Sequence, residues 1–227
     1  MPFIGNKPSA VPLTSADITD GIITSAKIAD GTIVNADINA SAAIDASKLT
    51  GITSDFVLLQ STTASNVASV TMGNSSLITS TYRNYMIIGS NVIPATDGAH
   101  GYIRVSISSS AQTGANYYST NIWMYDGAST INGVNKNTTT SFEDSYGISI
   151  GNGAGESTNF VCYLYDPSST NNYKNIRVIT SNLDLSPDTA RHDFSGAYYS
   201  TSAVDGLQFY MSSGNITSGY FKLYGLK

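Results

Sequence analysis

Residues 14–53 read TSADITDGIITSAKIADGTIVNADINASAAIDASKLTGIT, and one large aliphatic side chain returns about every five positions along them. The spacings are 5, 5, 5, 5, 6 and 5 between Ile18, Ile23, Ile28, Ile33, Ile38, Ile44 and Leu49. The longer unit is a ten-residue repeat, in which Gly21, Gly31 and Gly51 occupy a matching turn position. So narrow a strip cannot bury a core within one chain, although copies from neighbouring chains can bury it along a shared axis. The strip therefore predicts a symmetric fibrous oligomer, and we expect a trimer.

The period of five residues excludes the common regular structures. Helices bury residues at spacings of three and four, and coiled coils need 3.5 on average. A strand repeats every two residues, so a spacing of five would place alternate isoleucines on opposite faces. Each repeat must therefore contain a turn, and we expect a short helical turn with Ser15, Ser25 or Asn35 as its N-cap. The alternative is a disordered linker, because Ser, Thr, Ala, Asp and Gly dominate the segment.

After residue 53 the pattern changes to short apolar or alternating runs divided by turn dipeptides such as Asp97-Gly98 and Asp205-Gly206. In the run 102–107, Ile103, Val105 and Ile107 share one face of a predicted strand. Strands are predicted at 56–60, 68–72, 85–93, 102–108, 118–125, 146–150, 160–165, 176–180, 196–200, 207–211 and 220–226. So many short strands predict an antiparallel β-sandwich or barrel, and our first choice of topology is a jelly roll.

Composition narrows the range of functions. The net charge is −5 and only 12% of the 227 residues are charged, so no basic patch is available for a nucleic-acid backbone. No apolar run approaches the roughly 20 residues of a membrane-spanning helix, so we expect no membrane insertion. The first 13 residues lack an apolar segment of signal-peptide length, and we expect synthesis in a cytoplasm without a cleaved export signal.

Side chains suited to catalysis or metal binding are few and scattered. His100 lies in a predicted turn and His192 in a predicted polar loop, and two distant histidines without a cysteine cluster do not make a zinc site. Glu143 and Asp144 are adjacent, so in a strand they point apart, whereas glycoside cleavage needs two carboxylates facing one bond. Cys162 lies in an apolar run and is expected to be a small core residue. We therefore expect no enzyme activity, no metal site and no cofactor.

Aromatic residues close to Asn, Asp and Ser are the remaining candidates for ligand contact, because a sugar ring needs a flat apolar face beside polar partners. The candidate receptor-binding residues are Tyr117, Tyr118, Tyr198 and Tyr199. Adjacent residues of a strand point to opposite faces, so at most one tyrosine of each pair points outward. The alternative for each pair is packing in the core or at the trimer interface.

Both ends of the chain resemble a known family. Residues 3–13 (FIGNKPSAVPL), 18–23 (ITDGII) and 25–33 (SAKIADGTI) resemble the N-terminal part of tail-fibre and other virion proteins of marine and cyanobacterial tailed phages. Residues 219–227 (GYFKLYGLK) resemble the C-terminal strand of such proteins. The resemblance covers about the first 52 and the last 20 residues, and the middle shares only a polar, Tyr-rich β character.

The resemblance implies a homotrimeric fibre located in the virion, in three parts. Residues 1–13 would attach to other tail or capsid proteins, residues 14–53 would form the repetitive shaft, and residues 54–227 would form a β-sandwich head. The head would bind the host surface, with envelope glycan as the expected receptor. One alternative is a capsid head-fibre or cement protein, and a further one is a polysaccharide-degrading tailspike, which favours a long β-helix and paired acids in a groove.

Overall fold

The computed structural model describes residues 18–39, 41–42, 44, 54–126, 130–145, 147–186 and 188–227. The chain divides into two compact units, Met1–Ile52 and Thr53–Lys227. The proposed attachment segment 1–13, the predicted N-cap Ser15 and the axial residue Leu49 lie outside the described residues.

The first unit repeats its backbone geometry every ten residues, as its sequence does. Gly21 and Gly31 adopt φ of +77° and +78°, a left-handed conformation that favours glycine. The N–H following each glycine donates a hydrogen bond to the carbonyl three residues earlier, at 3.1 Å in both copies. The glycines therefore turn the chain at equivalent points of successive repeats.

A short helical turn follows each glycine turn, as the sequence predicts. Within residues 18–39, two 3-10 helices are described, Ser25–Lys27 and Asn35–Asp37. The prediction that Ser25 is an N-cap is wrong, because Thr24 occupies the cap in an extended conformation and its side chain makes no capping hydrogen bond. Instead, the Asp37 carboxylate accepts a hydrogen bond from the Val34 N–H at 2.9 Å, which satisfies a free donor at the start of the second helix.

The second unit, called the head below, is mainly β, which confirms the predicted class. Among the described residues it contains thirteen strands: β1 (Phe56–Val67), β2 (Ser69–Met72), β3 (Asn84–Pro94), β4 (Gly101–Ile107), β5 (Ser110–Ala111), β6 (Tyr117–Tyr125), β7 (Asn132–Thr139), β8 (Phe142–Glu143), β9 (Thr158–Tyr165), β10 (Lys174–Leu183), β11 (Thr189–Tyr198), β12 (Gly206–Met211) and β13 (Ile216–Leu226).

The strands form two sheets in which every pairing is antiparallel. The large sheet has eight strands in the order β1-β13-β3-β9-β10-β11-β6-β7. The small sheet has the order β2-β12-β4-β5, and β8 also pairs with β4. Buried and exposed residues alternate along β10, which shows that one face of the large sheet packs inward and the other faces solvent.

The core lies between the two sheets, so the head is a β-sandwich. Phe160 of the large sheet stacks on Phe209 of the small sheet with ring centroids 5.0 Å apart, and Phe221 packs beside both rings. Gly89 permits this packing, because a Cβ there would lie 2.2 Å from the Phe160 ring. Cys162 is fully buried in the same core, as predicted, and burial raises the pKa of its thiol.

Three predictions of local structure are wrong. Residues 147–149 of the predicted strand 146–150 are turn or irregular backbone, and only Ile150 pairs, in an isolated bridge to Ala99. Strand β7 was not predicted, because its sequence NGVNKNTT has few apolar residues. His192 lies in β11 and is fully buried, whereas a solvated polar loop was expected.

Candidate functional site

The two predicted tyrosine pairs divide between the core and the surface, as strand alternation requires. Tyr117 and Tyr198 are buried, with ring centroids 4.8 Å apart. The Tyr117 hydroxyl donates to the Gln112 carbonyl at 2.7 Å and accepts from the Val105 N–H at 3.2 Å, and burial raises its pKa. Both are core residues, so the prediction that Tyr117 and Tyr198 contact a receptor is wrong.

Tyr118 and Tyr199 point outward and stack on each other, with ring centroids 3.9 Å apart and an angle of 20° between the rings. A third ring, Tyr173, stacks on the other side of Tyr199 at 4.7 Å and 10°. We call these three residues the tyrosine stack. Tyr173 precedes β10 and Tyr199 follows β11, and the pairing of these two strands brings the two rings together. Sequence spacing does not reveal this pairing, so it does not predict that Tyr173 belongs to the stack.

A buried lysine holds the loops that carry two members of the tyrosine stack. The Lys174 ammonium donates hydrogen bonds to the carbonyls of Ser169 and Asn172, both at 2.6 Å, and of Thr201 at 3.3 Å. Its burial lowers its pKa, and nearby Asp166 opposes that shift. Because Lys174 follows Tyr173 and Thr201 lies two residues after Tyr199, these hydrogen bonds tie together the two loops from which both rings project.

An open groove of about 610 Å³ runs beside the tyrosine stack on the outer face of the large sheet. Its floor is the small-residue run Ser195-Gly196-Ala197 of β11. The cross-strand pairing places Ser195 between Arg177 and Thr120, and Ala197 between Asn175 and Tyr118. The groove exists because the middle strand presents short side chains while both neighbours present longer ones.

The walls of the groove are polar and aromatic. The polar side chains are Thr120, Asn135, Asn137, Asn175 and Arg177, and Tyr165 closes the side opposite Tyr118. An asparagine side chain offers two donors and one acceptor oxygen, so three of them can satisfy several hydroxyl groups at once. The groove therefore combines flat apolar faces with neutral hydrogen-bonding groups.

The cation of the groove is already paired. One Arg177 guanidinium nitrogen lies 2.9 Å from an Asp193 carboxylate oxygen, and this hydrogen bond raises the pKa of Arg177. Arg191 lies 4.0 Å from the same carboxylate. Arg191 does not line the groove, so the Arg177–Asp193 pair leaves the groove itself with little net charge to attract a charged ligand over a distance.

The groups that resembled catalytic elements in the sequence do not meet. His192 points into the core from β11, and the next residue, Asp193, points to the outer face. Glu143 pairs with His100 at 3.6 Å, whereas the neighbouring Asp144 is buried. Within the described ranges, no group of three or more His, Cys, Asp or Glu side chains is placed to hold a metal ion. No helix in those ranges is long and apolar enough to cross a membrane.

The isoleucine strip of the first unit is exposed in the single chain. Ile18, Ile28 and Ile38 are 44%, 38% and 40% exposed, whereas Ile23 and Ile33 are 55% and 53% exposed. Ile44 is 45% exposed. Exposure therefore follows the ten-residue repeat, and the strip has no apolar cover within the described part of the chain.

Comparisons with protein-family models, with curated proteins and with solved structures gave no match. The function proposed below therefore depends on the geometry of this chain and on the sequence resemblance given above.

Proposed function

We propose that the protein is a non-enzymatic trimeric fibre of a tailed-phage virion, whose head binds a glycan of the host surface in the groove. The observation that carries the binding role is the tyrosine stack at the edge of a groove lined by asparagine side chains. Sugar rings pack against such rings through their C–H faces, while amide groups bond their hydroxyls.

The head is proposed to be a jelly roll. The halves β1-β13-β3-β9 and β2-β12-β4-β5 support this topology, because β1 and β2, β3 and β4, and β12 and β13 each lie in opposite sheets. Such repeated crossing between sheets is typical of the paired Greek keys of a jelly roll. In this description β10, β11, β6 and β7 extend the large sheet beyond β9, and the groove lies on that extension.

The first unit is proposed to be the shaft, with the axis of the trimer lined by the isoleucine strip and Leu49. The repeated glycine turn and the repeated exposure of isoleucine support this proposal. Burying one such side chain contributes about 1.5–3 kcal/mol, so three chains together gain a large stabilisation from a narrow strip. Three heads on one fibre then raise the avidity of individually weak binding.

Binding of purified full-length protein to host cells and to their envelope polysaccharide tests the binding role. We expect Tyr199→Ala to reduce binding by about tenfold, as removal of a stacking platform worth 1–2 kcal/mol requires. Tyr220→Ala is the matched control, because Tyr220 is an exposed tyrosine on β13 outside the groove, and binding should be unchanged.

Three results would contradict this proposal. Equal loss of binding in both tyrosine variants would remove the groove from the mechanism. Release of oligosaccharides from the polysaccharide would show an enzyme, and tight binding to empty capsids without binding to cells would show a cement protein.

A further inference from the structure

The pairing of four strands places a tyrosine at each end of one row of side chains across the groove. Asn175 of β10 pairs with Tyr165 of β9 on one side and with Ala197 of β11 on the other, and Ala197 pairs with Tyr118 of β6. Directly paired residues share a face, and alternation turns all four side chains outward. The row therefore crosses the strands, with a tyrosine at each end and shorter side chains between them.

Each end of this row belongs to a group of aromatic rings. At one end, Tyr118 is part of the tyrosine stack. At the other end, Tyr165 is 39% exposed and lies nearly parallel to Tyr163, with 14° between the rings and centroids 6.4 Å apart. We call Tyr163 and Tyr165 the β9 platform. The groove is therefore bordered by two aromatic surfaces on which a sugar ring can pack.

The distance between the two aromatic surfaces sets the size of a ligand that touches both. The order β9-β10-β11-β6 separates them by three strand intervals. Neighbouring strands lie about 4.8 Å apart, so the backbones of β9 and β6 are about 14 Å apart. One pyranose ring is much shorter than this span, so a single sugar can occupy only one surface. A ligand that contacts both must contain several linked rings and must run across the strands.

Between the two aromatic surfaces, the groove offers neutral hydrogen-bonding side chains. Asn175 lies within the row, and Asn135 and Asn137 line the groove from β7. Lys136, which lies between these two asparagines in the sequence, is turned to the opposite face of β7 by alternation. An amide group both donates and accepts hydrogen bonds, so these side chains suit the hydroxyl groups of an uncharged sugar.

Of the described residues that line the groove, Arg177 alone is charged, and a nearly buried partner holds it. Arg177 donates from Nε at 3.4 Å and from Nη2 at 2.9 Å to the carboxylate of Asp193, whose side chain is 10% exposed. An acidic sugar that took this guanidinium would leave the carboxylate without these hydrogen bonds, which is unfavourable. Arg191, at 4.0 Å, is too distant to replace them. The groove therefore favours an uncharged ligand.

We propose that the ligand of the groove is an uncharged oligosaccharide of several rings, which lies across β9, β10, β11 and β6 with one ring on the β9 platform and another on the tyrosine stack. This inference rests on the proposed glycan-binding role of the groove. It adds the charge, the minimum length and the direction of the glycan. The asparagine side chains bond the hydroxyl groups of the rings between the two aromatic surfaces.

Binding of the full-length protein to a glycan array tests the charge and the length of the ligand. The array holds neutral and uronic-acid-containing bacterial glycans, from single sugars to oligosaccharides of several rings. We expect neutral oligosaccharides of several rings to bind at least about tenfold more tightly than their single sugars, because they reach a second aromatic surface. Acidic glycans should bind more weakly than neutral glycans of the same length.

The outcomes on the array separate this inference from the proposed function. Preferred binding of acidic glycans, or equal binding of single sugars, would overturn the inference and leave a glycan-binding head. Absence of binding to every glycan would overturn both.

Tyr165→Ala beside Tyr199→Ala tests contact with both aromatic surfaces. On the oligosaccharide that binds best, each variant should lose about tenfold in affinity, and the double variant about a hundredfold, because sites this far apart act independently. Tyr220→Ala is the control, since Tyr220 is exposed on β13 outside the groove. Tyr165→Leu keeps apolar volume and removes only the flat ring, and the melting temperature of each variant checks its fold. A loss in Tyr199→Ala with full affinity in both Tyr165 variants would overturn the inference while the proposed function stands.

Asp193→Asn tests the origin of the preference for uncharged glycans. The amide keeps the shape of the carboxylate and removes its charge, so the charge of Arg177 is no longer neutralised. We expect the affinity for acidic oligosaccharides to rise at least about fivefold relative to neutral ones, and this gain to decline with added salt. An unchanged ratio would show that the ion pair does not set the preference and would overturn that part of the inference.

Discussion

Single residues show how far local pattern determines the candidate site. From the sequence, alternation predicts that at most one tyrosine of each pair points outward, and the structure places Tyr118 and Tyr199 outward. The contribution of Tyr173 could not be predicted, because it comes from pairing between β10 and β11. The small floor of the groove was also missed, since Ser195-Gly196-Ala197 has significance only relative to its neighbours across the sheet.

Two buried titratable residues of opposite type lie close together in the head: Asp144, directly after β8, and His192 on β11. Burial raises the pKa of Asp144 to about 7, and the charge of Glu143 adds to this shift. Burial lowers the pKa of His192 to about 4, against smaller opposing effects of the Asp144 backbone and of Asp193. Desolvation outweighs these opposing effects, because Oδ1 of Asp144 and both ring nitrogens of His192 make no hydrogen bond of good geometry.

The two groups change the free energy of unfolding in opposite directions. Folded Asp144 keeps its proton where the unfolded carboxyl has lost it, so its stabilisation is complete below about pH 4 and declines as the pH rises to about 7. Unfolded His192 takes up a proton below about pH 6.5 and the folded residue does not. Its stabilisation is therefore complete above pH 6.5 and declines as the pH falls to about 4.

Because the two effects oppose each other, we expect the stability of the native head to change little between pH 4 and 6.5. The variant Asp144→Asn removes one of them and should leave the pH dependence caused by His192. In that variant the free energy of unfolding should rise by on the order of 3 kcal/mol from pH 4 to 6.5, as a shift of this size requires. Urea unfolding at several pH values measures this change, and Asp126→Asn, at an exposed position, should behave as the native protein. A flat profile in Asp144→Asn would contradict the opposing roles.

At the scale of elements, the sequence pattern predicted the strands that have one apolar and one polar face. It missed the strands whose two faces are similar in hydrophobicity. The predicted strands 160–165 and 176–180 lie within β9 and β10, because their inward residues are strongly apolar. Strand β7 is an edge strand with a polar sequence, so no alternation marks it. On strand β11, His192 and Gly196 face the core. Neither residue type is strongly apolar, so hydrophobic patterning does not predict that they are buried.

The repeats of the first unit allow a direct test of the axial strip. Ile28→Asp with Ile38→Asp places six carboxylates per trimer in the proposed axis, where their desolvation is unfavourable. We expect sedimentation to show dissociated chains, and circular dichroism to show an unchanged β-signal from the head. Val34→Asp is the control, because Val34 is also an exposed aliphatic residue of the first unit, at 54%, but lies off the strip. Dissociation by Val34→Asp alone would show that the five-residue strip is not the axis.

At the scale of the whole molecule, the sequence predicts that residues 1–13 attach the protein to other tail or capsid proteins. Pro2, Pro8 and Pro12 prevent a regular helix or a central strand there, which suits an extended peptide bound to a partner. We expect deletion of residues 1–13 to abolish incorporation into particles and to leave the melting temperature of the head unchanged. Normal incorporation of the shortened protein would show that the anchor lies elsewhere.

The place of β13 in the large sheet has a consequence for how the protein is made. This strand, from near the end of the sequence, lies between β1 and β3, so the first strand of the head has no partner in its sheet until residues 216–226 exist. Contacts so distant along the chain close slowly, so β1 stays unpaired in its sheet while most of the head is being synthesised. The first unit, complete much earlier, can meet its copies during that interval. If the proposed shaft forms in that interval, the chains associate before folding of the head is finished.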